Sequence, residues 1–320
     1  MTRTVLLVLL GLVPAALLLV GLFAGSAAAR GVASDYPPEG NFVSVDGTRL
    51  HFKVTGPEDA APLLVLHGAS SNLNEPRVAL EDALSGYRVY WLDRPGLGWS
   101  ERPGDVAWSP QREAALIAQF LENQGVAQTP VLGHSWGAAI ALRLAMDQRD
   151  RVTGLVLIAP AARAWVGDAA FYNKATHWPL IGTLITRVIV PTYGRGQVAD
   201  GAQQAFSPEP VPENYVERTH LPLILRAPVW KANAYDMAHV NTHLADQETR
   251  YDTITVPTVI LAGPEDTVVS TQGHAGRVAE TMPNAELELI EGAGHNLHHH
   301  HPDRVRAAVD RVSARSAENR

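Results

Sequence analysis

Residues 129–141 read TPVLGHSWGAAIA. A short apolar run, Thr129–Leu132, breaks into Gly133-His134-Ser135-Trp136-Gly137 and then into the small residues Ala138, Ala139 and Ala141. A serine on a sharp strand-to-helix turn needs small neighbours, because the turn is strained and the strand and helix come close. The two glycines meet that demand. Such a turn lifts the hydroxyl above the end of a sheet, and the helix start sets backbone N–H groups beside it.

The chain around this stretch has the periodicity that the turn requires. Leu63–Leu66, Tyr87–Leu92, Leu155–Ile158, Thr258–Leu261 and Leu287–Ile290 are further short apolar runs that read as buried strands. Pro110–Gln124, Gly137–Gln148 and Pro302–Ser313 read as helices; Leu116, Ile117, Phe120 and Leu121 give the first an apolar stripe. Strand–helix alternation predicts an α/β fold, a parallel sheet with helices on both faces. A hairpin opens it, because Asp46-Gly47 separates Asn41–Val45 from Arg49–Val54. The alternation stops over 163–246, a proline- and aromatic-rich stretch with helical fragments at Leu180–Val190 and Val229–Val240. It is too long for an ordinary connection and reads as a helical cap inserted over the sheet. The core is therefore expected at 41–162 and 247–320, with 31–40, which holds Pro37-Pro38, as a linker.

Composition narrows the function. The chain has 320 residues, 46% hydrophobic and 18% charged, and a formal net charge of −7. That is globular, and it argues against a nucleic-acid partner. It holds no cysteine, which excludes disulfides, thiolate metal sites and a cysteine nucleophile. Val5 to Phe23 is almost wholly apolar and uncharged, preceded by Arg3 and followed by Ala27-Ala28-Ala29. Residues 1–30 read either as a membrane anchor or as a signal peptide cleaved after Ala29. In both cases the rest of the chain lies outside the cytoplasm, anchored or released.

A serine hydroxyl needs a base, and the base needs an acid. Thirteen histidines compete. His295 lies in Glu291-Gly292-Ala293-Gly294-His295, just beyond the last strand and at the carboxyl edge of the sheet. His298 is the second choice. The run His298 to His301 is expected to be solvated rather than to bind metal. Asp266, in Gly263-Pro264-Glu265-Asp266 after Thr258–Leu261, is preferred to Glu265 as the acid. After Leu155–Ile158 no carboxylate appears before Asp168, so no acid is expected there. The oxyanion donors are expected to be the N–H of Trp136 and, from His67-Gly68-Ala69-Ser70, that of Ala69.

With these residues in order, the chain from Asn41 onward resembles the α/β-hydrolase superfamily. His67-Gly68, Asp93-Arg94-Pro95-Gly96-x-Gly98-x-Ser100, Gly133-x-Ser135-x-Gly137, Asp266 and Gly294-His295 follow the family's sequence. The resemblance implies a mostly parallel eight-stranded sheet with a variable cap after the sixth strand. It implies a structural role for Asp93 to Ser100. Related dehalogenases and epoxide hydrolases use an aspartate where Ser135 stands. Proline iminopeptidases usually carry glycine at the position of His134, and perhydrolases and haloperoxidases a bulky residue at that of Ala69. Meta-cleavage-product hydrolases have a glycine-richer loop than His67–Ser71.

The expectation is a serine hydrolase that cleaves a carboxylic ester-type bond without cofactor or metal. Its substrate would be a small apolar ester or related acyl compound. Trp165, Phe171, Tyr172, Trp178, Tyr193, Trp230 and Tyr235 are candidates to line an apolar pocket beneath the cap. C–C bond, lactone or thioester hydrolysis and perhydrolase or haloperoxidase chemistry use the same three residues. A non-catalytic binding protein on the same fold is the alternative of another class.

Overall fold

The computed structural model describes residues 3–318 apart from Asp105, Val166 and Asp168, with side chains in the first helix described from residue 15 onward. The apolar run from Val5 therefore lies partly, and Asp168 wholly, outside the described side chains. Eight strands form one sheet: β1 (Asn41–Val45), β2 (Thr48–Thr55), β3 (Pro62–Leu66), β4 (Arg88–Leu92), β5 (Thr129–His134), β6 (Val152–Ile158), β7 (Thr258–Ala262) and β8 (Ala285–Leu289). Their spatial order is β1-β2-β4-β3-β5-β6-β7-β8. β1 and β2 form the hairpin expected at Asp46-Gly47, with Val45 opposite Thr48, and β2 runs antiparallel to β4. All pairs from β4 to β8 are parallel.

Strict alternation along the central strands divides the core into two layers. Leu64, Leu66, Val131, Leu155, Leu157 and Ile260 face one layer, and Leu63, Val65, Leu132, Val156, Val259 and Leu261 the other. Both faces are dry, which is why these strands read as unbroken apolar runs. The helices, in chain order, are α1 (Arg3–Asp35), α2 (Asn74–Leu80), α3 (Pro110–Asn123), α4 (Trp136–Asp147), α5 (Phe171–Ala175), α6 (Ile181–Leu184), α7 (Val190–Phe206), α8 (Tyr215–Arg218), α9 (Ala227–Glu248), α10 (Arg277–Thr281) and α11 (Pro302–Glu318). Helices α3 and α4 cover the first layer; α11 covers the second through Val305, Ala308, Val309 and Val312. Ser109 starts α3, its side chain accepting from Arg112 N–H at 3.3 Å, with Pro110 at the first helical position.

Two expectations change. The irregular stretch is shorter than 31–40, because α1 continues to Asp35. Nothing in Gly31–Asp35 forbids a helix, and the prolines that end it stand at 37 and 38. The helix α2 was missed: its seven residues bury polar Asn74 and Glu75, so no apolar stripe marks it.

Among the described residues no strand lies between β6 and β7; α5 to α9 fill that interval, and α9 meets the loops after β3 and β4 at Ser70 and Arg102. Helix α9 is fastened to the core by charge. Arg102 donates to Asp236 of α9 at 2.7 Å and to Glu113 of α3 at 2.8 Å, and Arg94 to Glu113 at 3.0 Å. All four side chains are at least nine-tenths buried, so the quartet balances its charge internally. Removing one member leaves a buried charge unpaired. Asp236→Ala is expected to lower unfolding free energy by about 3–5 kcal/mol, read from the urea midpoint. Asp236→Asn, which keeps the shape and part of the hydrogen bonding, is expected to lose less.

Candidate active site

Ser135 caps the start of α4 with φ 52° and ψ −117°, in the left-handed half of backbone space that a side chain disfavours. Such a residue stores about 1–3 kcal/mol of strain, and its surroundings hold it there. Its N–H donates to Ile158 O at 2.9 Å, and its carbonyl accepts from Ala138 and Ala161 N–H at 3.0 and 3.1 Å. The flanking glycines are required by contact. A Cβ on Gly137 would lie 2.3 Å from Leu66 O, and one on Gly133 would lie 2.7 Å from Ala138 Cα. A Cβ on Gly68 would lie 3.2 Å from Ser135 Cβ, so the loop after β3 passes directly over the serine. Ala69 follows Gly68 in that loop, and Trp136 follows Ser135 as the first residue of α4.

The turns after β7 and β8 are equally close. A Cβ on Gly263 would meet Ala293 O at 2.0 Å. That contact brings Asp266 to His295: Nδ1 of the imidazole lies 2.7 Å from Oδ2 of the carboxylate. The other oxygen of Asp266 accepts from Val268 and Val269 N–H at 2.7 and 2.9 Å. The carboxylate is thereby fixed, and the His295 proton sits on Nδ1, leaving Nε2 as the basic nitrogen. Glu265 instead accepts from Gly292 N–H in an exposed position. Ser135 adjoins the pair through His134, whose ring lies 4.8 Å from that of His295 and whose Nε2 donates to His295 O at 3.2 Å. Among the described residues no hydrogen bond joins the Ser135 hydroxyl to His295 directly.

A second His–Asp pair shows why contact alone does not make a site. His51 Nδ1 lies 2.7 Å from Asp93 Oδ2, but His51 Nε2 is taken by Glu39 O at 3.1 Å. Asp93 also accepts from Leu73 and Trp99 N–H, and Gly98 has no room for a Cβ beside its carboxylate. Asp93 to Ser100 is a turn held from within.

The histidine run departs from expectation. His298 is buried, the side chain of the half-buried His299 is 4% exposed, and both Nε2 atoms donate to Glu75 Oε1, at 3.0 and 2.8 Å. Burial alone would raise the Glu75 pKa; the charge of His298 and the hydrogen bonds from both rings outweigh it and hold it well below the usual carboxylate range. The run is solvated only in its second half: His300 bonds Pro210 O, and His301 bonds Glu209. Burial, with His298 and His295 nearby, keeps His134 well below an ordinary histidine pKa, so it stays neutral. Three residues that the sequence did not single out surround the His295 loop: Glu75, His134 and Tyr215, whose hydroxyl accepts from Asn296 at 3.0 Å. The available signal was the four-histidine run itself, which needs a buried acid if it is not exposed.

The missed contact on the other side is Asn233 of α9. Its Oδ1 accepts from Ser70 N–H at 2.6 Å, and its Nδ2 donates to Ser70 Oγ at 3.0 Å. Ser70 has φ 54°, so this clamp holds the loop over Ser135 in a strained shape. Of the pocket candidates, Trp165, Trp230 and Tyr235 are half-buried, but Phe171, Tyr172, Trp178 and Tyr193 point outward on the cap and enclose nothing.

The fold and these residues define a class. A model of the alpha/beta hydrolase family matches residues 63–308, and the chain belongs to that family. It is 25% identical over 281 residues to an uncharacterized carboxylesterase of Bacillus subtilis (strain 168), covering 84% of this chain and 85% of the relative. It is likewise 25% identical to haloalkane dehalogenase 2 of Mycobacterium tuberculosis (strain ATCC 25618 / H37Rv), over 86% of this chain and 94% of that one. Among solved structures, a bacterial membrane phospholipase A shares the fold with TM-score 0.63 and 19% identity over 99% of both chains.

Acid stability follows from one residue of the loop over Ser135. His67 Nε2 accepts from Arg94 N–H at 3.0 Å and Nδ1 donates to Gly68 O at 2.8 Å, a pattern only the neutral ring can make. Burial, reinforced by Arg94, pushes its pKa from 6.5 down to about 4. The unfolded chain binds this proton first, so the contribution is complete above pH 6.5 and is lost as pH falls towards 4, by about 3 kcal/mol in all. His67→Gln is expected to be less stable at pH 7 and to lose less between pH 7 and 4.5, measured by urea unfolding at each pH.

Proposed function

We propose that the chain is a membrane-anchored serine hydrolase that cleaves a carboxylic ester through an acyl-enzyme, with its catalytic part outside the cytoplasm. The observation that carries this reading is a strained serine at the start of α4, whose neighbour His134 contacts a histidine with its Nδ1 bound to a fixed carboxylate. Ser135 turns its hydroxyl to His295 Nε2, gives up its proton and attacks the acyl carbon. The N–H groups of Ala69 and Trp136 receive the oxyanion. His295 then protonates the leaving alcohol, which departs. Water loses a proton to the same nitrogen and attacks the acyl carbon; the bond to Ser135 Oγ breaks, the acid leaves, and His295 returns the proton to the serine. Asp266 keeps the ring oriented and stabilises its charged form throughout. A hydroxyl at position 135, where related dehalogenases use a carboxylate, supports acyl transfer over halide displacement. The anchor reading is supported by α1, of which Ala15–Asp35 is apolar enough to cross a bilayer and is 11% buried over its most apolar window.

Three measurements test this. Ser135→Ala is expected to abolish labelling by a fluorophosphonate and to cut kcat on p-nitrophenyl esters by at least about 10⁴-fold. Unchanged turnover by that variant would end the proposal. Asp266→Asn is expected to cost about 10³–10⁴-fold in kcat through the wrong tautomer. Asn233→Ala, which frees the loop bearing Ala69, is expected to lower kcat about tenfold with little change in KM.

A further inference from the structure

Apolar side chains are not spread evenly over this surface. The large hydrophobic residues exposed by 39% or more number fifteen among the described residues. Five of them, Leu17, Leu18, Leu19, Val20 and Phe23, lie on α1. Eight more lie between residues 171 and 193, on α5, α6, the start of α7 and the segments joining them: the four outward aromatics and Leu180, Ile181, Leu184 and Ile189. Soluble domains rarely leave such a concentration uncovered.

The two groups are neighbours. A Cβ on Gly25 of α1 would lie 1.9 Å from Arg187 O and 3.2 Å from Pro191, and one on Gly21 would lie 2.9 Å from Val188. The apolar helix is thus seated directly against residues 187–191, in the middle of the apolar stretch of the cap. Arg195 pairs with Asp35 at 3.8 Å, fixing the end of α1 to α7. Leu180 is 85% exposed although its φ is 62°, so the backbone accepts a strained turn and leaves a leucine in the open.

Charge points the same way. Residues 171–199 contain Lys174, Arg187 and Arg195 and not one aspartate or glutamate, in a chain whose net charge is −7. Arg195 is already paired with Asp35; Arg187, exposed among tryptophan, tyrosine and leucine, suits the headgroup region of an anionic bilayer. A partner protein would have to sit on a surface whose flank is already occupied by a helix of bilayer-spanning character.

We propose that the outer face of the cap formed by α5, α6 and the start of α7 dips into the membrane beside α1. It does so through Leu180, Ile181, Leu184 and Trp178, on the outer leaflet and in contact with anionic phospholipid. The surface rests on the reading of α1 as an anchor. It gives the proposed hydrolase an ester that is itself lipid-borne, presented where the cap meets the bilayer.

The chain has no cysteine, so a single one can be introduced and labelled in the full-length protein. Leu184→Cys and Ile181→Cys, each carrying an environment-sensitive fluorophore, are reconstituted in phosphatidylglycerol–phosphatidylethanolamine vesicles. Asn123→Cys, on the far end of α3, is the control. All carry Ser135→Ala, so the readout does not depend on hydrolysis. The expected result is a blue-shifted emission at 181 and 184, quenched at least threefold more by brominated lipid than at 123. Quenching equal to the control overturns the proposal. Excimer emission from pyrene at 184 without lipid quenching overturns it too, assigning the face to a second copy of the chain. In the active protein, Leu180→Ser with Leu184→Ser is expected to slow hydrolysis of a vesicle-borne long-chain ester at least tenfold. Turnover of a soluble short-chain ester is expected to be unchanged. Loss on both substrates would instead show a damaged fold.

Discussion

Everything at the candidate site depends on backbone touching backbone. The first turn of α4 lies so close to the end of β3 that Gly137 abuts the carbonyls of Leu66 and His67. Any side chain there would push the helix off the sheet. With the helix that near, the chain must turn within one residue, and that residue is Ser135. The strain is offset by hydrogen bonds to Ile158, Ala138 and Ala161, so β6 and the loop after it support the turn as much as β5 does. The same economy recurs where Gly263 meets Ala293 and Gly294, joining the acid-bearing turn to the base-bearing one. Glycines at 68, 137 and 263 bring segments far apart in sequence within a few ångströms of each other, and Gly133 lets strand and helix close on each other across the turn.

The sheet was legible because its central strands are buried on both faces. Burial of that kind leaves unbroken apolar runs, and each of those read from Leu63 to Leu261 coincides with a strand. The edge strand β8 was placed two residues late, since Glu286 and Glu288 dilute its apolar signal. Asp266 and His295 could be located because each follows directly on a strand, and the structure brings the two into contact. Glu75 and Asn233 could not be. Both sit on helices whose local pattern gives no hint of the partner, 223 and 163 positions away, that makes them matter. The aromatics of 171–193 were misplaced for a related reason. A pattern of tryptophan and tyrosine says that apolar surface is present, not which side it faces.

Polar burial around His295 follows one rule. Each buried histidine or carboxylate has its proton position set by a neighbour rather than by solvent. Asp266 sets His295; Glu75 sets His298 and His299; the carbonyl of His295 sets His134. The loop carrying His295 is thereby pinned on one side by Glu75 and on another by Asn296, whose N–H donates to Ala205 O at 3.0 Å. A loop so constrained keeps its imidazole in place.

Helix α9 reaches the core at two places three residues apart: Asn233 grips the loop above Ser135, and Asp236 completes the buried ion quartet. Tilting the helix would break both attachments at once, so it behaves as a fixed rafter and not as a door. The shorter helices α5 to α7 have no such double attachment to the loops at the end of the sheet; their packing is against α9, α1 and one another.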